Sequence, residues 1–507
     1  MLLFASVGLW AQSRVNGAVS GVILDPSGAA IPAAHITAIN TQTGAAVVGQ
    51  SNATGAFQFL SLQPGNYTIS VGAKGFSTQK RNAVVYVGQT TPVNFKLAVG
   101  SASQTVTVTG EQVPVLQTQN ANIATTLSTA QLSQIPVPGN DINSLLQLAP
   151  GAVMTSDLFP SFYGLPTNSN LLISNGMEDI DPAGNSTNGG ASNLLLGLNE
   201  VKETTVSATS YGGEFGYLAG SNDTIVTKSG TNQFHGDAKF YWNQTGLNAN
   251  NFFNNTTSPA TPRSTDSAKQ WAASLGGPII KNKLFFFVDE EGIRLHLPTS
   301  QLVIIPSQQF EAATIENLTR LGLTSSIPFY CQKLTLTDAA GNSVTCPAGP
   351  SSATGLGQGI FNLYNTSLGA SRATVGNGNP ADPTGCNGFT GLGAGVPCAL
   401  NYRSIASNYN PEAIETARVD WNASANNRVW VHFKFDDGTQ ASFTDPINPI
   451  FNSASHQPVE YLQTGWTWSP GDWVNEFHAS LEHFHVVFSP PNLPATLAVF
   501  PTQLVFG

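Results

Sequence analysis

The residues best able to do chemistry in this 507-residue chain are its histidines, carboxylates and four cysteines. His478, Glu482, His483 and His485 stand close together. Imidazole and carboxylate are zinc ligands, but a zinc site needs at least three donors in one cage. Side chains along a strand alternate between faces. His478 and Glu482 therefore share a face with Glu476, while His483 and His485 point the other way, and no metal site is expected. Glu178, Asp179, Asp181, Asn185 and Asn188 offer oxygens for calcium, but without the regular spacing of a calcium loop. A solvated loop is the expected reading there. His35 has no second ligand pair nearby. Gly-x-Ser-x-Gly and phosphate-cradling glycine loops are both absent. The chain thus offers no catalytic set and no cofactor site, and it does not read as an enzyme.

Cys331, Cys346, Cys386 and Cys398 all fall in one Gly/Pro-rich region. No C-x-x-C spacing supports zinc, so disulfides are the leading reading if the chain is exported. Cys331–Cys346 and Cys386–Cys398 each close a short loop; two other connectivities stay open. Export is suggested by residues 1–11, an apolar run ending near Ala11 that reads as the remnant of a signal peptide.

The elements that carry these residues are mostly strands. Charged residues make up 10% of the chain and hydrophobic residues 41%. Gly, Asn, Thr and Ser are abundant, which disfavours long helices. No run approaches the roughly 20 apolar residues of a spanning helix. Such a chain is either an extracellular sandwich array or an outer-membrane barrel. The net charge of −10 excludes nucleic acid as an expected partner.

Residues 15–98 show short alternating runs broken by turns at Asp25-Pro26-Ser27-Gly28, Thr43-Gly44 and Pro64-Gly65-Asn66. That spacing predicts a small antiparallel sandwich. The run SGVILDPSGAAIPAAHITAIN…ATGAFQFLSLQPGNYTISVGAKGF resembles the carboxypeptidase regulatory-like domain, whose immunoglobulin- or prealbumin-like fold is then implied.

Residues 99–110 link this unit to the next, and Thr105-Val106-Thr107-Val108-Thr109 form a β-branched run. It resembles the TonB box of TonB-dependent transporters, which works by adding a strand to a periplasmic partner's sheet. The last strand of the sandwich is the equal alternative. Residues 111–230 begin a helix at Ser128, break at Ile135-Pro136-Val137-Pro138-Gly139, and restart with Asp141 capping Ile142–Leu148. Pro136, Gly139, Asn140, Leu145, Pro150 and Gly151 resemble the plug motif of TonB-dependent receptors. The run from Asn199 to Trp242, with Gly216, Gly220, Thr227, Lys228, Ser229 and Gly230, resembles the plug-to-barrel junction of the Oar-like group.

From 231 to 507, seven segments alternate with period two: 233–243, 267–277, 283–296, 413–424, 427–438, 458–469 and 472–488. Val429, Val431, Phe433 and Phe435 form an apolar face, and Trp430, His432, Lys434 and Asp436 fill the other. Lengths near 10 suit spanning strands. Connections alternate short and long, the longest being an expected extracellular loop at 297–412, as in an up-and-down barrel. Trp466, Trp468 and Trp473 bracket an expected periplasmic turn.

The expected protein is therefore all-β dominated: a sandwich, an α+β plug and the first strands of a transmembrane barrel. A barrel of this class has about 22 strands, so the chain reads as a fragment and its sheet should be open. The resemblance implies outer-membrane localisation with the N-terminal domain periplasmic. It further implies a TonB-type periplasmic partner, contact with outer-membrane lipid, and an unidentified extracellular substrate such as an oligosaccharide or peptide. A secreted or surface β-rich adhesin, carbohydrate-binding or otherwise, is the alternative.

Overall fold

The computed structural model describes residues 15–499 apart from 101–104, 109–122, 136–140, 156–158, 182–185, 188–189, 193, 195, 210–217, 257–262, 264–265, 300–301, 323–335, 338–342, 345–352, 367–373, 376–398, 405 and 471–472.

The first unit is a sandwich. Gly17–Leu24 lies between Ala56–Leu62, antiparallel, and Thr90–Pro92 with Phe95–Lys96, both parallel. The second sheet runs in the order Ala46–Gln50, His35–Asn40, Gly65–Gly72, Thr78–Val85, Thr105–Val108. Alternation along Tyr67-Thr68-Ile69-Ser70-Val71 sends Tyr67, Ile69 and Val71 inward. There they meet Ile23, Ile36, Phe57 and Phe95 in one core. The Asp25 turn forms because Asp25 Oδ1 accepts from the Ser27 and Ala29 N–H groups at 2.8 and 2.9 Å. Gly28 there adopts φ +90°, which a side chain disfavours.

The second unit is a five-stranded mixed sheet in the order Ile123–Ser128, Val201–Thr209, Asn222–Thr227, Leu171–Ser174, Met177–Glu178. Two short helices cover it. Thr129–Gln134 starts where Gln131 Oε1 accepts the Ser128 N–H at 3.0 Å. Ile142–Leu146 starts at Asp141, which accepts from Asn143 N and Ser144 N at 3.1 and 3.2 Å. This helix ends at Leu146, short of the expected Leu148. Leu127, Leu132, Ile142, Leu145, Leu172 and Ile225 form the core beneath them.

The third unit is a wall of seven long strands: His235–Gln244, Ser267–Ile280, Leu284–Pro298, Ser407–Ser424, Asn427–Phe443, Val459–Trp468 and Asn475–Phe484. Each pairs antiparallel with the next. Ser453–His456 and Val487–Ser489 prolong the last two strands beyond breaks at 457–458 and 485–486. Pro458 has no N–H to give the ladder, which explains the first break. The wall is not closed. Among the described residues, the first and last long strands each pair with one neighbour only.

Outward residues are apolar: Val419, Trp421, Val431, Phe433, Leu462 and Leu481 are all exposed. Inward residues are polar, and Asp289, Glu291, Arg418, His432, Asp436 and Gln463 are all buried. Turns at 281–283 and 425–426 join the strands at one end, the short-turn rim, and the strand ends at Gln244, Ser267, Pro298, Ser407 and Phe443 mark the opposite, long-connection rim. Trp466 and Trp468 stack on the outward face beside the short-turn rim, centroids 6.4 Å apart. Two rings lie over glycines paired with them: Trp271 opposite Gly292, and Trp430 opposite Gly465. A Cβ on either glycine would meet the indole at 2.3 Å.

Candidate functional site

The candidate site is the seam where the second unit, the plug, meets the polar side of the wall. It is built from turns that end plug strands and from inward residues of the wall. Gly197, at φ +96°, turns the chain so that Asn199 and Glu200 project into the wall just before Val201–Thr209. Asn199 Nδ2 donates to Asp289 at 2.5 Å, and its N–H donates to Glu291 at 3.2 Å. Lys239 donates to Asn199 Oδ1 at 2.9 Å, and Lys228 to the Asn199 carbonyl at 2.6 Å. Glu200 lies 3.2 Å from His432 Nε2 and 3.5 Å from Lys434 Nζ. Burial opposes the Glu200 charge, but Lys434 and His432 outweigh it and hold the carboxyl down at about 2.

Arg418 makes the second seam. Its guanidinium grips Asp420 through two bonds of 2.9 Å, and lies 4.8 Å from the Trp430 ring centroid. Its remaining reach goes to the plug, at Thr227 Oγ1 (2.8 Å) and Asn175 Oδ1 (3.2 Å). Asn175 Nδ2 then donates to Gln463 at 3.1 Å. At a third seam, Ser192 N donates to Glu412, and a Cβ on Gly190 would meet Glu412 Oε1 at 2.2 Å.

Two plug carboxyls are perturbed away from the wall contacts. Burial pushes Asp223 up to about 7 against the Ser221 hydroxyl bond. Burial likewise pushes Glu203 up to about 7, although Val87 N–H and Lys202 pull the other way. A cavity of about 520 Å³ lies between the helix Thr129–Gln134 and the first three wall strands, lined by Leu132, Leu198, Lys239, Gln270, Trp271 and Glu291 among others.

The residues singled out from sequence fall as follows. Thr105–Val108 is a strand parallel to Thr78–Arg81, at the edge of the sandwich's second sheet; Thr109 lies outside the described residues. Leu145 is fully buried in the plug core. Pro150 and Gly151 form a turn, with Gly151 at φ +84° under the Tyr163 ring. Pro136, Gly139, Asn140, Gly216 and all four cysteines lie outside the described residues.

Gly220 sits against Asn170, and a Cβ on it would meet Asn170 Oδ1 at 2.4 Å. Gly230 sits against the wall backbone, where a Cβ would lie 2.3 Å from the Phe286 carbonyl. Thr227 and Lys228 are seam residues, and Ser229 lies between Lys228 and Gly230 at the plug's exit.

His478 faces inward toward Trp430, its ring centroid 6.0 Å away, while His483 and His485 are neighbours on the opposite face. Among the described residues, no group of three or more His, Cys, Asp or Glu could hold a metal. The sequence reading missed Asn175, Asn199, Glu200 and Gln463. Alternation marks Gln463 as inward, but nothing local marks its plug partner.

A strand wall that is apolar outside and polar inside, with a hydrogen-bonded plug against its inner face, defines an outer-membrane barrel protein. Residues 226–502 match the family described as an outer membrane beta barrel domain, and residues 18–98 match the carboxypeptidase regulatory-like domain. The chain belongs to that outer membrane barrel family.

It is 27% identical over 301 residues to the TonB-dependent transporter Oar of Myxococcus xanthus, covering 56% of this chain. The match spans 27% of that relative's length. The outer membrane transporter YddB from Escherichia coli is similar at TM-score 0.43 and 10% identity, over 73% of this chain and 40% of that one. The siderophore receptor PirA from Pseudomonas aeruginosa is similar at TM-score 0.38 and 10% identity, over 72% and 41%.

Proposed function

We propose that this chain is the N-terminal part of a transporter that imports a large nutrient, such as an oligosaccharide or peptide, across the outer membrane. A TonB-type periplasmic protein drives it by binding the run Thr105–Thr109. The observation that carries this reading is the seam itself. Glu200, Asn199 and Arg418 hold the plug by hydrogen bonds and ion pairs, and the apolar contact beside them is one small cluster of Leu196 with Ile293, Leu295 and Ile414. Such contacts can exchange with water as the plug moves, whereas an interdigitated core resists partial displacement. On this reading the short-turn rim and the sandwich face the periplasm, and the long connections face outward. Domain limits follow the same division: sandwich 15–98, link 99–110, plug 111–230, wall from 231. The cysteine pairs Cys331–Cys346 and Cys386–Cys398 would then staple the outward 297–412 loop.

The test is growth on single oligosaccharide or peptide sources of a strain whose genomic copy, with any in-frame sequence after Gly507, is deleted. Loss of growth on one source, restored by the intact gene but not by one carrying Val106→Pro, supports the reading. Restoration by the proline variant as readily as by the intact gene refutes energising through that strand.

A further inference from the structure

The sandwich is seated on the short-turn rim of the wall. Asn16 donates to Glu476 on the last long strand at 2.6 Å, and Ser61 donates to the same carboxylate. Arg428, beside the 425–426 turn, donates to the Ser61 carbonyl at 2.8 Å. At the other end of the rim, Asn232 N donates to the Gln42 carbonyl at 3.0 Å, and Gly44 lies against Asn282 in the 281–283 turn. Plug contacts complete the seat: Val87 N donates to Glu203 at 2.6 Å, and Lys202 Nζ donates to the Pro64 carbonyl at 2.5 Å. The sandwich therefore reaches from the first wall strand to the last and touches the plug between them.

These named contacts are polar. An interface of hydrogen bonds to carbonyls and carboxylates is one that water can replace group for group. Among the described residues, the only strand ladder the sandwich makes beyond residue 98 is the one from its edge Thr78–Arg81 to Thr105–Val108. Covalently, residues 109–122 separate that strand from the first plug strand. The sandwich is bonded to the strand directly.

We propose that the sandwich is a detachable cap on this rim and that Thr105–Val108 is its handle. A partner that pulls the strand loads the cap first and draws it off the rim before tension reaches the plug. This rests on the reading of Thr105–Thr109 as the partner's binding run, and the test separates the two.

The protein, solubilised in detergent micelles so that both rims are open to added reagents, carries a reporter at the cap–plug contact, Val87→Cys, or Gln89→Cys in a second variant should the first fold poorly. The purified periplasmic domain of a TonB-type protein is added with an impermeant maleimide, and binding is read separately by co-sedimentation. Labelling should rise about tenfold when the domain is bound, as expected for a locally closed site that opens. A thiol bridge between Ser61→Cys and Glu476→Cys should abolish that rise while leaving binding in place. Binding with labelling unchanged, or a rise that survives the bridge, overturns the cap. Absence of binding overturns the cap together with the proposed driving strand.

Discussion

Glu200→Gln is the sharpest test of the seam. The carboxylate is 5% exposed and faces Lys434 and His432. A carboxyl held at about 2 instead of 4.5 has its charged form favoured by about 3 kcal/mol. Removing one partner of a buried pair typically costs about 3–5 kcal/mol, and the lower end applies here because Asp179 and Asp436 also act on Lys434. The two figures agree, so plug docking should weaken by about 3 kcal/mol at pH 7.

The pH sign follows from the lowered pKa. The contribution is complete above about 4.5 and is lost as pH falls from there toward 2. Limited proteolysis of the plug over a urea series, with the wall monitored by its heat-dependent gel mobility, measures both. The wild type should lose plug protection as acid passes below pH 4.5, and the Gln variant should already have lost it. A Gln variant within about 0.5 kcal/mol of wild type at pH 7, the usual range for an inconsequential surface change, would refute the reasoning.

Other predictions concern single contacts. Asp223 carries the opposite sign: its stability contribution is complete below about 3.8 and is lost as pH rises through about 7. Asp223→Asn should therefore flatten the decline of plug stability between about pH 4 and 7, read by the same proteolysis series. Gly230→Val should block seating of the plug, because the new Cβ would meet the Phe286 and Gly277 carbonyls at 2.3 and 2.6 Å. Those are backbone atoms, so a destabilisation above about 2 kcal/mol is expected, visible as plug cleavage in an otherwise inserted wall. Phe433→Arg puts a charge on the outward apolar face and should cost about 2–4 kcal/mol in lipid, measured as a lowered urea midpoint of the wall. Asp141→Ala removes both helix-cap acceptors and should cost about 1 kcal/mol.

Much of the wall was legible because its pattern is local. Val429 to Asp436 alternate in the sequence, and they alternate in burial along Asn427–Phe443. The expected segments stop short at the long-connection rim, where Ser407–Glu412 and Thr439–Phe443 extend the ladder. Those extensions include Pro411 and small polar residues, so apolar alternation fades while backbone pairing continues. The last segment is interrupted after Phe484, a break that period-two counting does not register.

The seams were not legible, for a different reason. Glu200 meets His432 across 232 positions, and Arg428 meets Ser61 across 367. Alternation shows that Arg418, His432 and Lys434 face inward; it carries no information about which plug turn arrives there. The run Thr105–Val108 had two equal readings, and its ladder to Thr78–Arg81 places it on the sandwich edge. A strand at an edge is also what a pairing partner would seek.

The indoles of Trp271 and Trp430, each filling the gap left by a glycine across the ladder, act as alignment pegs for a wall that must assemble from long, similar ribbons. Sliding one ribbon by two positions would keep the greasy and wet faces correct, so patterning alone does not forbid it. It would, however, drive each bulky ring onto a neighbour that carries a side chain. The mismatch makes the offset assemblies sterically costly, and the wall zips with one alignment rather than several.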